Sequence, residues 1–456
     1  MNNIKNTIIL FLLSVSLSVV AQEMSVYNTT AGNLSSVIGD DEIATLREVK
    51  LTGSVNAADF FFIRDNIKEL KTIDLTEVNI EACVIDGTSY AANEIPAYAF
   101  YVPYESAGMS RLSTFYFPLS TVSIGENALY QSVVLRTTNL GELPSLKTIK
   151  SAAISRCTRL RDIELPASVV EIGTAAFAHN PQLNSFIIPE ESQLSILGNN
   201  AFNGCNALTT LDFSTTRLTE IGEQAFNACS QLNDVKLPSS VEYIGDEAFM
   251  YTAINNIDWS HLQKLQSIEG SLFYGTGSLK SVTLPMGIEE IKASAFALCN
   301  GLSTLSLSYN LTAIGDWAFA NCTSLRSITC PSPVVPQLGY QAFQGVETAN
   351  IQATVLESIV SLYQSDAVWS TFTLVGNPFT GISTTEQQAI QLYRNGRNIT
   401  IASPVAIATA TLYGYNGSMI GQEVINDTQA TIELPTGQGA ILHIAYSNGR
   451  SEVVKL

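Results

Sequence analysis

The chain has 456 residues, of which 46% are hydrophobic and 14% charged, and a formal net charge of −18 at pH 7. The apolar fraction excludes an intrinsically disordered chain. The acidity opposes large contacts with nucleic acid or anionic membranes, because clustered Lys and Arg normally hold both. We therefore expect a folded protein that binds no nucleic acid. Solubility of an exported protein is the better explanation of the acidic surface, and attraction to a cationic partner is the alternative.

Residues 1–21 are predicted to be a secretory signal peptide. Lys5 lies in a short polar start, an apolar run covers residues 7–20, and the small residues Val19 and Ala21 close the segment. Serines interrupt the run, which is shorter than the roughly 20 apolar residues that a membrane span needs. The sequence therefore predicts an extracellular or cell-surface protein with no membrane insertion after signal cleavage.

Residues 22–110 are predicted to contain an amino-terminal cap and the first divergent repeats. LREVKL from Leu46 and LKTIDL from Leu70 have apolar residues at the same offsets of 0, 3 and 5. Between them, NAADFFFIRDNIKEL has helical spacing and Asn56 as a candidate N-cap. IPAYAF at residues 95–100 then predicts a further coil, and the start of the region would cover the first open strand edge.

A phrase of 23 to 25 residues repeats through residues 111–346. An Ala-Phe pair ends most copies, and a fixed period in this range predicts a solenoid, because each unit buries its apolar face only by stacking on its neighbours. The first residue of this pair, or its replacement, falls at Ala153, Ala176, Ala201, Ala225, Ala248, Leu272, Ala295, Ala318 and Ala342.

One coil is illustrated by LRDIELPASVVEIGTAAFAHN, which starts at Leu160. Its alternating apolar residues predict a short strand that Pro166 ends, and a second extended piece reaches Ile172. Gly173 would permit a sharp turn, and the Ala-Phe pair would begin a single helical or 3₁₀ turn. The predicted fold class is a mostly β solenoid of short parallel strands, which share hydrogen bonds along a continuous sheet.

The repeated phrase resembles the BspA-type leucine-rich repeats of bacterial surface proteins, whose pattern is close to L-x-x-I-x-I-P followed by I-G-x-x-A-F-x-x-C. The copy LNDVKLPSSVEYIGDEAF fits at nearly every fixed position. Leu272 in place of Ala, Lys292 in place of Gly and Ile154 in place of Phe are expected to distort single coils without breaking the array. The resemblance implies parallel β coils, an extended strand-lined surface and a role at the cell exterior.

The pattern changes after the repeats. Residues 347–378 are predicted to cap the solenoid with a short amphipathic helix, whose apolar positions are Val355, Ile359, Leu362 and Tyr363. Residues 379–456 contain three Asn-Gly pairs between alternating apolar segments, which predicts hairpins and a small antiparallel β-sandwich. Its ending, RSEVVKL, resembles the sorting or attachment modules of exported bacterial proteins.

Five of the seven cysteines occupy one position of the repeat. Stacked equivalents direct their Cβ atoms in parallel, which is poor disulfide geometry, so we expect free buried thiols that offer the backbone a weak hydrogen bond. Disulfides between Cys205 and Cys229 and between Cys299 and Cys322 remain open. The five residues are Cys157, Cys205, Cys229, Cys299 and Cys322.

The sequence contains no recognisable catalytic arrangement. Its three histidines, His179, His261 and His443, lie in separate contexts, without an H-E-x-x-H or G-x-S-x-G motif. Adjacent acids such as Glu289 and Glu290 are interpreted as solvated loop charges. We therefore predict that the protein is not an enzyme and has no catalytic residue, metal or cofactor.

The exposed side of the first strand is the candidate binding face. The residues two and four positions after the leucine that opens each copy, here called offsets 2 and 4, alternate with the apolar residues and should point to solvent. Earlier coils place acids there, which suits a cation or an amine-rich partner, and later coils place hydroxyls, which suits a glycan or extended peptide. Strand propensity alone also accounts for such columns. The candidates are Asp162, Glu164, Asp212, Asp234, Asp258, Thr283, Thr304 and Ser306, with Tyr243 and Trp317 as exposed aromatics.

These observations predict an adhesin-like monomer that binds an extracellular protein or glycan. A flat repeated surface offers many weak contacts rather than one pocket. A passive coat protein of the cell envelope, without a specific ligand, is the alternative.

Overall fold

The structure is a computed structural model that describes residues 24–103, 109–259, 261–262, 264–377, 391–395, 398–414, 419–433, 440–446 and 451–455. The predicted signal peptide lies outside these residues. The chain divides into two compact units. The first reaches Ile328 and includes Pro336–Ile351, and the second comprises Thr329–Val335 and the residues from Gln352 onward.

The first unit begins with a parallel sheet and one well-formed helix, Ala57–Asn66. Asn56 caps this helix by accepting a hydrogen bond from the Ala58 N–H at 2.9 Å, and Asp59 accepts from the Asn56 N–H at 2.8 Å. This reciprocal pair is a capping box, so the predicted helix and N-cap are confirmed. The strands of the sheet are Ser25–Thr29, Glu48–Val55, Thr72–Ile80, Thr114–Tyr116 and Thr137–Thr138.

Smaller elements surround this sheet. Two four-residue helices and one antiparallel hairpin lie among the first coils. They are Leu34–Val37, Asp40–Ile43 and the hairpin of Cys83–Ile85 with Thr88–Tyr90, and a 3₁₀ segment follows at Leu140–Glu142.

Each regular coil contains two short strands, here named the first strand and the second strand. After the opening sheet, the first strands are Asp162–Glu164, Ser185–Ile187, Thr210–Asp212, Asp234–Lys236, Ser281–Thr283, Thr304–Ser306 and Ser327–Cys330. The second strands are Glu94–Ile95, Ser123–Ile124, Thr148–Ile149, Glu171–Ile172, Ile196–Leu197, Glu220–Ile221, Tyr243–Ile244, Ser267–Ile268, Glu290–Ile291, Ala313–Ile314 and Gln337–Leu338.

The continuous sheet that the sequence predicts is found mainly on the second strands. In the described residues these strands form a seven-stranded parallel sheet up to Tyr243–Ile244, and a four-stranded sheet starts at Ser267–Ile268. Among the described first strands the pairing is more divided, because Asp162–Glu164 pairs with Ser185–Ile187 alone, and Thr210–Asp212 forms a separate pair with Asp234–Lys236. The predicted parallel stacking is therefore confirmed, with its longest continuous sheet on the second strands.

The Ala-Phe pairs form the centre of the solenoid. All nine marker residues are at most 3% exposed. The phenylalanine rings stack from coil to coil, with centroids 5.7 Å apart for Phe202 and Phe226 and 5.3 Å apart for Phe296 and Phe319. The phenylalanine ladder consists of Phe177, Phe202, Phe226, Phe249, Phe273, Phe296, Phe319 and Phe343. The predicted inward orientation of the pairs is confirmed.

The segment around each Ala-Phe pair is not a single helical turn but two successive tight turns. Ala175 and His179 flank one pair with φ of 54° and 57°, in the left-handed region. Alternate N–H groups leave the coil, so that Phe177 donates to the Ala201 carbonyl of the next coil at 2.9 Å, whereas Ala178 donates to Ala175 within its own turn at 3.0 Å. The backbone of the turn therefore holds neighbouring coils together.

The glycine that precedes the Ala-Phe pair in most coils allows a close approach of the neighbouring coil. Gly173 is not left-handed. A Cβ atom at Gly222 would lie 2.5 Å from the Asn199 nitrogen of the preceding coil, and one at Gly198 would lie 2.7 Å from the Gly173 carbonyl carbon. Gly173 begins the turn as predicted, since its carbonyl accepts from the Ala176 N–H at 3.2 Å, but the turn does not need a left-handed glycine there. At Gly198 and Gly222 the close neighbouring backbone is the stronger reason for glycine.

The predicted helix after the repeats is only partly correct. Val355 is buried in the strand Gln352–Leu356, which pairs in parallel with Thr373–Asn377. The helix covers only Val360–Ser365, in which Tyr363 is buried and Leu362 is exposed. Ala353 and Val355 are buried and the residues beside them are not, which is the two-residue period of a strand rather than the period of a helix. Short 3₁₀ segments lie at Thr348–Asn350, Glu357–Ile359 and Trp369–Thr371.

The carboxy-terminal strands are antiparallel, as predicted. Each Asn-Gly pair falls at the turn between two strands that pair with each other. Asn395 ends the first of these strands, and the other residues of the three pairs lie outside the described residues. The described strands belong to one hydrogen-bonded sheet, with register shifts between Ala402 and Ile407. They are Gln391–Asn395, Asn398–Gly414, Met419–Glu433, Ala440–Tyr446 and Ser451–Lys455. Ile401, Leu442 and Ile444 belong to its buried core.

Candidate functional site

The first strands present the predicted candidate side chains to solvent. Asp162 and Glu164 are exposed on either side of the buried Ile163. Thr283 lies directly opposite Ser306 in the parallel register, and Thr304 is exposed beside Ser281. Offsets 2 and 4 therefore form the outer columns that the alternation predicts.

Asp212 is exposed but already paired. Its carboxylate lies 2.9 Å from the Lys236 ammonium, and it accepts hydrogen bonds from the Ser214 hydroxyl at 2.5 Å and from the Ser214 N–H at 3.0 Å. Partial burial raises the pKa of Asp212, but the hydrogen bonds from Ser214 and Lys236 outweigh it, so the net pKa is lowered. Asp212 therefore adds little net negative charge to the acidic part of the first-strand face, because Lys236 neutralises it.

The candidate face is divided in its middle. Asp234 lies on the strand beside Thr210, whereas Asp258 is exposed in a segment without strand among the described residues 253–266. Asp258 therefore does not continue the column of Asp212 and Asp234 as a strand residue. Within the described ranges, no group of three or more His, Cys, Asp or Glu side chains is placed to hold a metal ion.

The two candidate aromatics lie away from the first-strand face. Tyr243 is 37% exposed on a second strand, and partial burial followed by the nearby Glu269 raises its pKa. Trp317 is 40% exposed in an Ala-Phe turn, where its ring meets Tyr340 edge-on at 5.6 Å and its indole N–H donates to Gln341. The structure thus places the aromatics in two other columns.

The cysteine column is buried against the backbone of neighbouring coils. The Cys205 and Cys229 thiols lie 3.2 and 3.1 Å from the carbonyls of Phe177 and Phe202, and the described cysteines are all free. Burial raises the pKa of Cys205 to about 12. These groups therefore act as small weak donors, as predicted, and their high pKa makes them poor nucleophiles and metal ligands.

Sequence reasoning missed a groove on the amino-terminal coils, here named the basic groove. It is open, has a volume of about 360 Å³, and is lined by Lys71, Arg111, Arg136 and Arg159 together with hydroxyl side chains. These cations are distant in sequence, but each directly precedes or follows the leucine that opens its coil. An alignment of the residues directly before and after each coil-opening leucine, at offsets −1 and +1, would have shown these four cations in neighbouring coils.

Comparison with known proteins identifies the type of repeat. The BspA type leucine rich repeat region matches in six copies, over residues 76–208, 147–268 and 259–371, and these ranges cover more than half of the chain. No curated protein sequence matches the chain significantly.

Three solved bacterial structures are similar to this chain. A leucine-rich repeat protein from Bacteroides ovatus is 21% identical, with a TM-score of 0.37, over 64% of this chain and 90% of that one. A leucine rich cell surface protein from Faecalibacterium prausnitzii is 23% identical, with a TM-score of 0.28, over 54% and 85%. The pneumococcal vaccine antigen PcpA is 18% identical, with a TM-score of 0.33, over 65% and 87%.

Proposed function

Because the chain belongs to the BspA-type leucine-rich repeat family, we propose that it is an exported, adhesin-like protein that binds an extracellular protein or glycan through its first-strand face. The carrying observation is the pair of outer columns, in which Asp162, Glu164, Thr283 and Thr304 project from strands whose intervening residues are buried. Side chains held in register on a stacked array act together without a pocket.

Export and surface location form part of this proposal. Residues 1–21 have the pattern of a cleaved signal, and no helix in the described part of the chain is long and apolar enough to cross a bilayer. Expression in the native host followed by amino-terminal sequencing of the extracellular or envelope fraction tests this step. A mature chain starting near Gln22 is the expected result, and a cytosolic chain that retains Met1 would contradict it.

The binding face is tested by replacing Asp212, Asp234 and Asp258 together with Ser. The purified protein and its variant are compared on arrays of extracellular-matrix proteins and glycans at low and physiological salt. We expect weaker binding of a cationic partner and little change in the melting temperature, because exposed substitutions usually alter stability by about 0.5 kcal/mol or less each.

A matched control replaces Glu171, Glu220 and Glu290 on the second strands with Ser, which changes the net charge equally. This control should retain binding. Equal loss in both triple variants would indicate general electrostatics rather than the first-strand face. A blank array for the unmodified protein would favour a passive envelope protein without a specific ligand.

A further inference from the structure

We infer that the basic groove binds an acidic glycan, a polysaccharide carrying carboxylate or sulfate groups. The groove lies at the amino-terminal end of the array, where Thr114 and Thr137 occupy offset 2, but its cations stand at offsets −1 and +1, outside the two proposed columns. Its charge is opposite to that of the acidic candidates, so the two sites are tested with different partners.

The groove is built on three adjacent parallel strands. Thr72, Thr114 and Thr137 stand in register across them. Lys71 and Arg136 occupy the same column two strands apart, a separation of about 10 Å from the usual strand spacing. Cations are therefore repeated along the array, as a ligand with regularly repeated anionic groups requires.

The positive charge of the groove is largely uncompensated. Lys71, Arg136 and Arg159 are exposed, and among the described residues no carboxylate oxygen lies within 4 Å of their nitrogens. Arg111 has one partner, Glu69, at 3.9 Å. Like charges held together repel each other, and a bound polyanion would remove that repulsion.

The lining favours a glycan over an acidic peptide. The N–H groups of Ser113 and Thr114 donate to the Lys71 carbonyl at 2.8 and 3.0 Å, and those of Arg136 and Thr137 donate to Ser113. Within the described sheet only the two-residue strand Thr137–Thr138 has an open edge at the groove, so an extended peptide would find too short an edge to add a stable strand. The apolar part of the lining is a single valine, so no pocket anchors a hydrophobic side chain. Threonine and serine hydroxyls can instead pair with sugar hydroxyls.

Binding is measured with defined probes, namely heparin, polygalacturonate, neutral dextran, poly-glutamate and a DNA duplex. Heparin carries sulfate and polygalacturonate carries carboxylate alone, so these two distinguish the sources of anionic charge. We expect at least one of them to bind, with affinity falling as salt rises, and neither dextran, poly-glutamate nor DNA to bind as tightly.

The matched variants are Arg136→Glu with Arg159→Glu in the groove, and Lys280→Glu with Arg326→Glu as control, which change the net charge equally. Lys280 and Arg326 are exposed and follow their coil-opening leucines as Arg136 does, but lie in later coils outside the groove. The groove variant should lose at least tenfold in affinity, about 1.4 kcal/mol, and the control less than about twofold. Arg136→Gln alone is a milder variant whose unfolding transition should match the parent, and it should still weaken binding.

Three results would overturn the inference. The first is that neither acidic polysaccharide is retained at low salt. The second is that both groove variants bind them as the parent does, and the third is that poly-glutamate or DNA binds more tightly than either. None of these results bears on the acidic first-strand face, whose triple-serine variant is scored with a cationic partner.

Discussion

The regular coils and the coil that contains Leu272 differ at two positions of the repeat, since Leu272 replaces the Ala of the Ala-Phe pair and Glu269 replaces the glycine before it. In a regular coil, the Gly245 N–H donates to the Ile221 carbonyl of the preceding coil at 2.8 Å. In the other coil Glu269 occupies the glycine position. The residue after it keeps a contact found in regular coils, because the Gly270 N–H donates to the Asp246 carboxylate at 2.7 Å as the Glu223 N–H donates to the Asn199 side chain at 2.9 Å. The second-strand sheet is interrupted at this point.

The phenylalanine ladder continues through the same interruption. Phe273 stacks on Phe249 and on Phe296, each at 5.5 Å. Glu269 is only 5% exposed at its side chain, and Lys292, which replaces glycine in the next coil, pairs with it at 2.5 Å. Continuity of the core therefore does not require continuity of the backbone sheet, and two substitutions in adjacent coils compensate each other.

The largest effect is expected for Phe226→Ala in a regular coil. This change removes a fully buried ring from the middle of the ladder and should lower the free energy of unfolding by about 3–5 kcal/mol. Denaturant titration measures the loss. Tyr251→Ala removes an exposed ring as control and should cost less than about 1 kcal/mol. Equal losses of unfolding free energy in the two variants would mean that the phenylalanine ladder does not stabilise the core more than an exposed ring does.

Breaking the ion pair of the irregular coil should come next. Lys292→Met leaves the buried Glu269 carboxylate with Ser267 as its remaining partner. We expect a loss of about 2–3 kcal/mol, below that of a fully buried pair, because Lys292 is 43% exposed. Adding Glu269→Gln should restore part of the stability in a double-mutant cycle. Additive losses would contradict the compensation.

The glycine column gives a smaller effect in the regular coils. Gly222→Ala would place a Cβ against the Asn199 backbone and should destabilise the protein by about 1–3 kcal/mol. Gly277→Ala has open space around its Cβ and should change stability by less than about 1 kcal/mol. Thermal unfolding compares the two variants. A lower melting temperature for Gly222→Ala than for Gly277→Ala would show that the close neighbouring backbone, rather than the loss of a glycine as such, causes the destabilisation.

The smallest effect concerns the thiols. Burial raises the pKa of Cys157, Cys205 and Cys322 to about 12, while Cys83 is only half buried. A thiol reagent at pH 8 should therefore modify Cys83 first and the repeat cysteines only after unfolding. The raised pKa also favours the folded state below about pH 8.5, where unfolded thiols stay protonated, and this contribution is lost as pH rises toward 12. Rapid labelling of Cys205 in the folded protein would contradict it.

The sequence predicts features that depend on one residue type repeated at a fixed position of each copy. It does not predict features that depend on contacts between neighbouring coils. Ala-Phe burial and the cysteine column follow from the period, since every copy repeats the same residue type. The left-handed positions do not, because Ala175, Gln224, Glu247 and Trp317 share a conformation but no chemistry. The sequence predicts a distorted coil at Leu272, and the second-strand sheet is interrupted just before this coil. The pattern alone does not show the importance of Glu269, which replaces glycine there. The basic groove was missed because its cations belong to different coils.

Hydrogen exchange at the Ala-Phe turns tests the stacked core most directly. The Phe202 and Phe226 amides donate to the carbonyls of Ala225 and Ala248 at 2.8 and 2.9 Å, so they should exchange only when coils separate. Residues 253–266, which contain no strand where the structure describes them, should exchange first. Protection of the regular turns with earlier exchange in this segment is the predicted result. Turns that exchange as fast as residues 253–266 would contradict the account.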